Sequence, residues 1–199
     1  MRWRAPWRLA MRLFPCTQSR IDREQEVLGH GTSSERPFHS GRQLIGDETV
    51  DFLIGMRINK PWKVVLWWPV FVAMPKMLNY LVKQPDKGLL GYEQAFFPSP
   101  IIVQYWRSFE DLARFARNPD DPHFEPWRQF NRRVGQSGDV GIWHETYLVK
   151  TANIETVYGN MPPYGLAAAS AVVPVKRGKD SAAARIGATP TDDPALPVY

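Results

Sequence analysis

The side chains that could do chemistry are few, and most of them stand among aromatics. His144 lies in the run VGIWHETYLVK, between Trp143 and Glu145. Neighbours on a strand point to opposite faces, so Glu145 cannot orient His144 from the same side. An imidazole placed mid-strand can serve as general base toward an acidic C–H or O–H, or give an axial nitrogen to haem iron. A hydrogen-bonded sheet histidine or a dimer contact is the structural alternative. Arg57 and Asn59 share a face at the end of an earlier apolar run, where polar groups suit a carbonyl or phenolate oxygen, or superoxide. Strand-end solvation and Asx capping around Pro61 are the alternative for that pair. Tyr105 and Arg107 alternate with Gln104 and Trp106, so one of these two pairs should face a pocket, and Tyr105 is expected as a hydrogen-bonding partner there. His123 sits in a Pro- and Asp-rich turn and is expected to be exposed. His30 and His39 fall in a polar connector with no specific role.

Aromatics dominate the composition. The chain carries 8 Trp, 10 Phe and 7 Tyr in 199 residues, enough to line an interior cavity. Phe52, Met56, Trp67, Trp106, Trp143 and Tyr147 are the expected walls, with Trp62 and Trp68 as further core or wall residues. Tyr158-Gly159-Asn160 forms a turn that either caps the pocket, crosses to a partner subunit or is a simple loop. The sequence has no G-x-G-x-x-G opening a helix, no P-loop, no G-x-S-x-G elbow and no His/Asp/Glu cluster at metal-ligand spacing, which argues against dehydrogenase, nucleotidase, α/β-hydrolase and zinc-hydrolase chemistry. Cys16 is the single cysteine. It leaves no disulfide framework, so a reducing, cytoplasmic setting is expected.

The net charge is +5, and Arg2, Arg4, Arg8, Arg12 and Arg20 alone, in an acid-free segment, account for that surplus. The rest is near neutral and lacks a basic recognition helix, which excludes a nucleic-acid partner. The segment MRWRAPWRLAMRLFPCTQSR has the composition of a membrane-surface or transit-like sequence. An unstructured extension is the expected state, with membrane contact the alternative and Met11 a second available start.

Those side chains need a scaffold, and the pattern supplies one between residues 47 and 165. Val50, Phe52, Ile54, Met56 and Ile58 alternate as on a half-buried strand. Pro61 suits the first residue of a buried helix reaching Gln84, kinked at Pro69 and Pro75. Its uncharged run, Val64 to Pro75, is shorter than the ~20 residues that span a bilayer. Leu90–Phe97 and Ile101–Ser108 flank Pro98-Ser99-Pro100 as a hairpin. Ser108 caps a helix with Phe109, Leu112, Ala113, Phe115 and Ala116 as its apolar side, and a short helix follows from Phe124 to Val134. Val140–Lys150 reads as the last strand. The order β-α-β-β-α-β predicts an α+β, ferredoxin-like fold. Residues 1–46 are expected to be a flexible extension and residues 166–199 an Ala- and Pro-rich disordered tail. Helices cover one face of such a sheet. Trp143, Tyr147 and Val149 would populate the other, and pairing it with a second copy would bury them.

The segments FLIGMRINKPWKV, QYWRSFEDLARFARNPDDPHFEPWRQFNRR, GDVGIWHETYLV and YGNMPPYGLA resemble a family of small proteins grouped with a monooxygenase of fungal fumagillin biosynthesis. The resemblance covers roughly residues 49 to 168. It implies a dimeric α+β barrel of the antibiotic-biosynthesis-monooxygenase type, a homodimer, and a role in secondary metabolism with a small apolar or aromatic substrate. No metal or flavin is implied. Haem-dependent enzymes such as aldoxime dehydratases, and stress-response proteins without catalysis, share that superfamily and supply the alternatives, haem with His144 or His123 as ligand among them.

Overall fold

The computed structural model describes residues 38–41, 46–97, 99–170, 172–174 and 181–187, all within the unit spanning residues 36–199. Cys16, His30 and the Arg- and Trp-rich start of the chain lie outside the described residues, and of His39 only the backbone is described. In chain order the elements are β1 (Phe38–Gly41), β2 (Glu48–Ile58), α1 (Val64–Val82), β3 (Leu89–Ala95), β4 (Ile101–Trp106), α2 (Phe109–Arg117), α3 (Phe124–Arg133), β5 (Val140–Lys150), β6 (Tyr158–Gly159), α4 (Leu166–Ala169), β7 (Val172–Pro174) and α5 (Ala182–Ile186).

The period-two pattern of β2 puts it in the middle of a four-stranded antiparallel sheet of order β3-β4-β2-β5. With α1 to α3 this is the ferredoxin-like arrangement. Register fixes the faces. Phe52 stands opposite Gln104 and Thr146, Ile54 opposite Ile102 and His144, and Met56 opposite Ile142. These side chains point toward α1, α2 and α3, where Val50, Leu81, Trp106, Leu112 and Phe115 form one buried cluster and Met56, Val134 and Val140 another. Each large apolar side chain so buried contributes about 1.5–3 kcal/mol. Ser108 caps α2 as its sequence position predicts, its hydroxyl accepting from the Asp111 N–H at 3.2 Å.

Four features depart from the pattern reading. Helix α1 begins at Val64 rather than Pro61, because the Pro61 carbonyl accepts the Trp67 indole N–H at 2.9 Å and the chain turns there first. Only its second half is buried, through Ala73, Pro75, Leu78 and Leu81, while Val64, Val65 and Trp68 are exposed. The domain also reaches past residue 165. Leu166 and Ala167 are buried, and β7 pairs with β1, which itself falls in the expected flexible extension. Finally, the sheet face away from the helices is half covered by the chain itself. Gly91 on β3 makes room for α4, since a Cβ there would lie 2.9 Å from the Ala169 side chain, and the Glu93 carboxylate accepts the Gly165 N–H at 2.8 Å.

Candidate functional site

Between the sheet and its three helices lies a cavity of about 760 Å³. Phe52, Ile54 and Met56 of β2, Ile102 of β4 and Ile142 of β5 floor it. Leu66, Val70, Phe71 and Leu78 of α1, Leu112 and Phe115 of α2, and Trp127 and Phe130 of α3 roof it. Such walls suit an apolar ligand, and polar groups are sparse enough to orient it. His144, Thr146, Gln104 and Gln94 are among those from the sheet, His123 comes from the turn before α3, and Arg117 and Arg133 stand at the helix side.

The imidazole of His144 stands on the exposed edge strand β5, its ring 5.7 Å from that of Phe52. Among the described residues it has no hydrogen-bond partner, so both ring nitrogens are free to meet a ligand. Gln104 is almost fully buried, and its Oε1 accepts the Trp106 indole N–H at 2.9 Å. That bond fixes the amide orientation and leaves the NH2 group as a donor to the cavity. His123 is half-buried rather than exposed. Its Nε2 lies 2.7 Å from the Ala116 carbonyl, which can only accept, so Nε2 carries the proton. Nδ1 is buried with no hydrogen-bond partner among the described residues. Among the described residues no three His, Cys, Asp or Glu side chains come together as metal ligands.

The structure divides the side chains expected to act together. His144, Phe52, Met56 and Trp106 share the cavity, with Trp106 fully buried against Phe115 as well. Trp67 stands behind the wall, packed on the Met56 cluster. Arg57, Asn59, Tyr105, Trp143 and Tyr147 do not line the cavity. Arg57, Tyr105, Trp143 and Tyr147 have the opposite parity to the cavity residues of their strands, and the Asn59 amide donates to the Gly138 carbonyl at 3.0 Å, tying the end of β2 to the loop before β5. In the alternating pair on β4, Gln104 and Trp106 therefore face the cavity and Tyr105 faces away. The Tyr158-Gly159-Asn160 segment also lies elsewhere, pairing with β1 and accepting the Ala167 N–H on the Tyr158 hydroxyl at 3.1 Å.

On that far face a second polar group went unread in the sequence. Asp51 stands in register between Tyr105 and Tyr147, and its Oδ1 is buried without a hydrogen-bond partner among the described residues. Burial raises the Asp51 carboxyl above its usual range. Burial first, then the Asp51 charge, pushes the Tyr105 phenol up to about 12, so at neutral pH Tyr105 stays protonated. Near the cavity end, Asp139 takes both Lys60 and Lys63 at 2.6 and 2.8 Å, and these bonds hold its carboxyl down at about 2.

An antiparallel sheet of this order, with an apolar cavity beneath its helices, defines an α+β protein of ferredoxin-like fold. Residues 49–166, more than half of the chain, match the family described as Monooxygenase af470-like, and the chain belongs to that family. It is 29% identical over 134 residues to Monooxygenase af470 of Aspergillus fumigatus, a match covering 62% of this chain and 46% of that protein. The chain thus spans about half the length of this relative. Among solved structures, an aldoxime dehydratase in complex with butyraldoxime is similar at TM-score 0.54 and 14% identity, over 66% of this chain and 40% of that one. A second aldoxime dehydratase reaches TM-score 0.54 at 17% identity, over 72% of this chain and 44% of that one. These likenesses bear on the fold alone.

Proposed function

We propose that this protein is a monooxygenase that oxidises a small apolar or aromatic metabolite inside the cavity, using His144 as base and neither metal nor flavin. The observation that carries the reading is His144 itself, an imidazole without a hydrogen-bond partner among the described residues, at the edge of an apolar cavity where the oriented amide of Gln104 is available as a donor. The substrate class follows from the chemistry. A methylene made acidic by a neighbouring carbonyl or phenol gives its proton to His144, and Gln104 donates to the enolate oxygen. The carbanion passes one electron to dioxygen, and the resulting radical and superoxide combine to a peroxide. Protonated by His144, the peroxide loses water and leaves a ketone, so CH2 and O2 become C=O and H2O. The apolar walls around the methylene limit the solvent that could reprotonate the carbanion. A cytoplasmic homodimer, paired through the uncovered part of the sheet's far face, completes the reading.

Haem is the second reading, supported by the same free imidazole and by Arg117 and Arg133 on the cavity wall. His144 would hold the iron, Arg117 and Arg133 would pair with the group's carboxylates, and the group would supply an iron for redox or dehydration chemistry. One pair of measurements separates the readings. Oxygen uptake with phenolic and anthrone-type substrates should be visible in the wild type without added cofactor and fall by at least about 100-fold in His144→Ala, which should melt like the wild type. Uptake unchanged in that variant would remove His144 as base. A Soret band on adding haemin, altered in His144→Ala, would replace the first reading by the second.

A further inference from the structure

The first half of α1 and the tip of the β3–β4 hairpin present one aromatic surface. Trp62 is 75%, Val65 83% and Phe97 91% exposed, and Trp68 and Phe96 are nearly half exposed. Ring contacts link the helix to the hairpin within it, with Trp68 stacked on Phe71 at 5.8 Å and Phe71 6.0 Å from Phe96. A patch of this kind is costly in water. We infer that this face docks onto the surface of an anionic phospholipid bilayer.

Three observations select a lipid surface as the occupant. The first is side-chain type, since tryptophans with an apolar body and a polar N–H concentrate at membrane interfaces. The second is charge. From residue 52 to residue 85 the sequence holds Arg57, Lys60, Lys63, Lys76 and Lys83 and no acid. Beside the patch, Lys60 and Lys63 share a single carboxylate, Asp139, so a positive surplus remains next to the aromatics. The acid-free, Arg-rich segment at residues 1–20 adds the same sign. The third is continuity with the cavity, because Val65 and Phe96 belong both to the patch and to the cavity lining. An apolar molecule dissolved in the bilayer would meet the cavity without crossing water.

The mode is shallow. By length and composition α1 could cross a membrane. Yet Ala73, Pro75, Leu78 and Leu81 are built into the core against the sheet, so only the first half of the helix can enter lipid while the domain stays folded. An interfacial helix binds through apolar insertion and attraction to anionic head groups together.

The test uses the full chain with vesicles of phosphatidylcholine alone and of equal parts phosphatidylcholine and phosphatidylglycerol, read by co-sedimentation and by the blue shift of tryptophan emission. Binding should appear on the anionic vesicles and weaken as salt rises. The double variant Val65→Glu/Phe97→Glu, both at exposed positions, should lower partitioning by at least about tenfold with an unchanged melting curve. Trp62→Gln, outside the helix, gives a second reading should the double variant fail to fold. Replacing Arg2, Arg4, Arg8 and Arg12 by Ser should weaken binding only in part. Full retention in both patch variants would overturn the inference, as would binding that vanishes entirely with the four arginines. A wild type that ignores anionic vesicles, and whose oligomer is broken by Val65→Glu/Phe97→Glu, would make this face a contact between copies instead. None of these outcomes depends on the reaction in the cavity.

Discussion

Asp51 and His144 sit on neighbouring strands and opposite faces, and their situations are reversed. His144 lacks a partner but is exposed, whereas Asp51 lacks one for an oxygen that is buried. Its raised pKa means that the folded protein holds that proton more tightly than the unfolded chain does. Folding is therefore unpenalised at low pH, and the cost appears as pH rises through the raised value. Asp51→Asn should raise the melting temperature at pH 7, modestly because the residue is only half-buried. Near pH 3 the two proteins should melt alike. A lower melting temperature at pH 7 would mean that the carboxylate has a favourable role on this face. Strand alternation puts Ile142, His144 and Thr146 on one face, but it does not say which face lines the cavity, and the expected walls Trp143 and Tyr147 have the other parity. Asp51 was not legible, since an acid inside an apolar strand reads as solvent-facing until a segment far along the chain is seen to cover its neighbour Tyr105.

At the scale of elements, the period of two and the capping signals carried most of the order from β2 to β5. What they could not carry was anything that depends on distant partners. The Leu166-Ala167-Ala168-Ala169 turn looks like low-complexity tail, and its burial follows from Gly91, whose missing Cβ admits Ala169. Likewise the exposure of early α1 is invisible in a run that is apolar on every side. Gly91→Leu should expel α4 from β3, since the new side chain would overlap both the Ala169 Cβ and its backbone Cα at 3.2 Å. The expected result is rapid proteolytic cleavage near residues 160–170 together with a lowered melting temperature, of the order of other overpacked sites at about 1–3 kcal/mol. The cavity on the other face should keep its ligand affinity. Resistance to protease equal to the wild type would show that α4 does not depend on this contact.

For the molecule as a whole, the covering segment divides the far sheet face into two halves. Over β3 and β4 it is closed by α4 and its approach. Over β5 aromatic side chains stay partly exposed, with Trp143 packed across Gly55 and Tyr147 half exposed, its hydroxyl donating to Glu145 at 2.6 Å. Strand β5 is also a sheet edge, pairing with β2 only among the described residues. Long exposed edges with aromatic faces invite a second copy. Sedimentation should accordingly find a homodimer, and Trp143→Asp/Tyr147→Asp should dissociate it while secondary structure persists. The cavity walls come from one chain, and neither substituted residue lines them. The dissociated variant should therefore bind apolar ligands and consume oxygen at close to the wild-type rate per chain. A monomer that folds but loses turnover would mean that the partner completes the site beside His144, where β5 leaves the imidazole exposed.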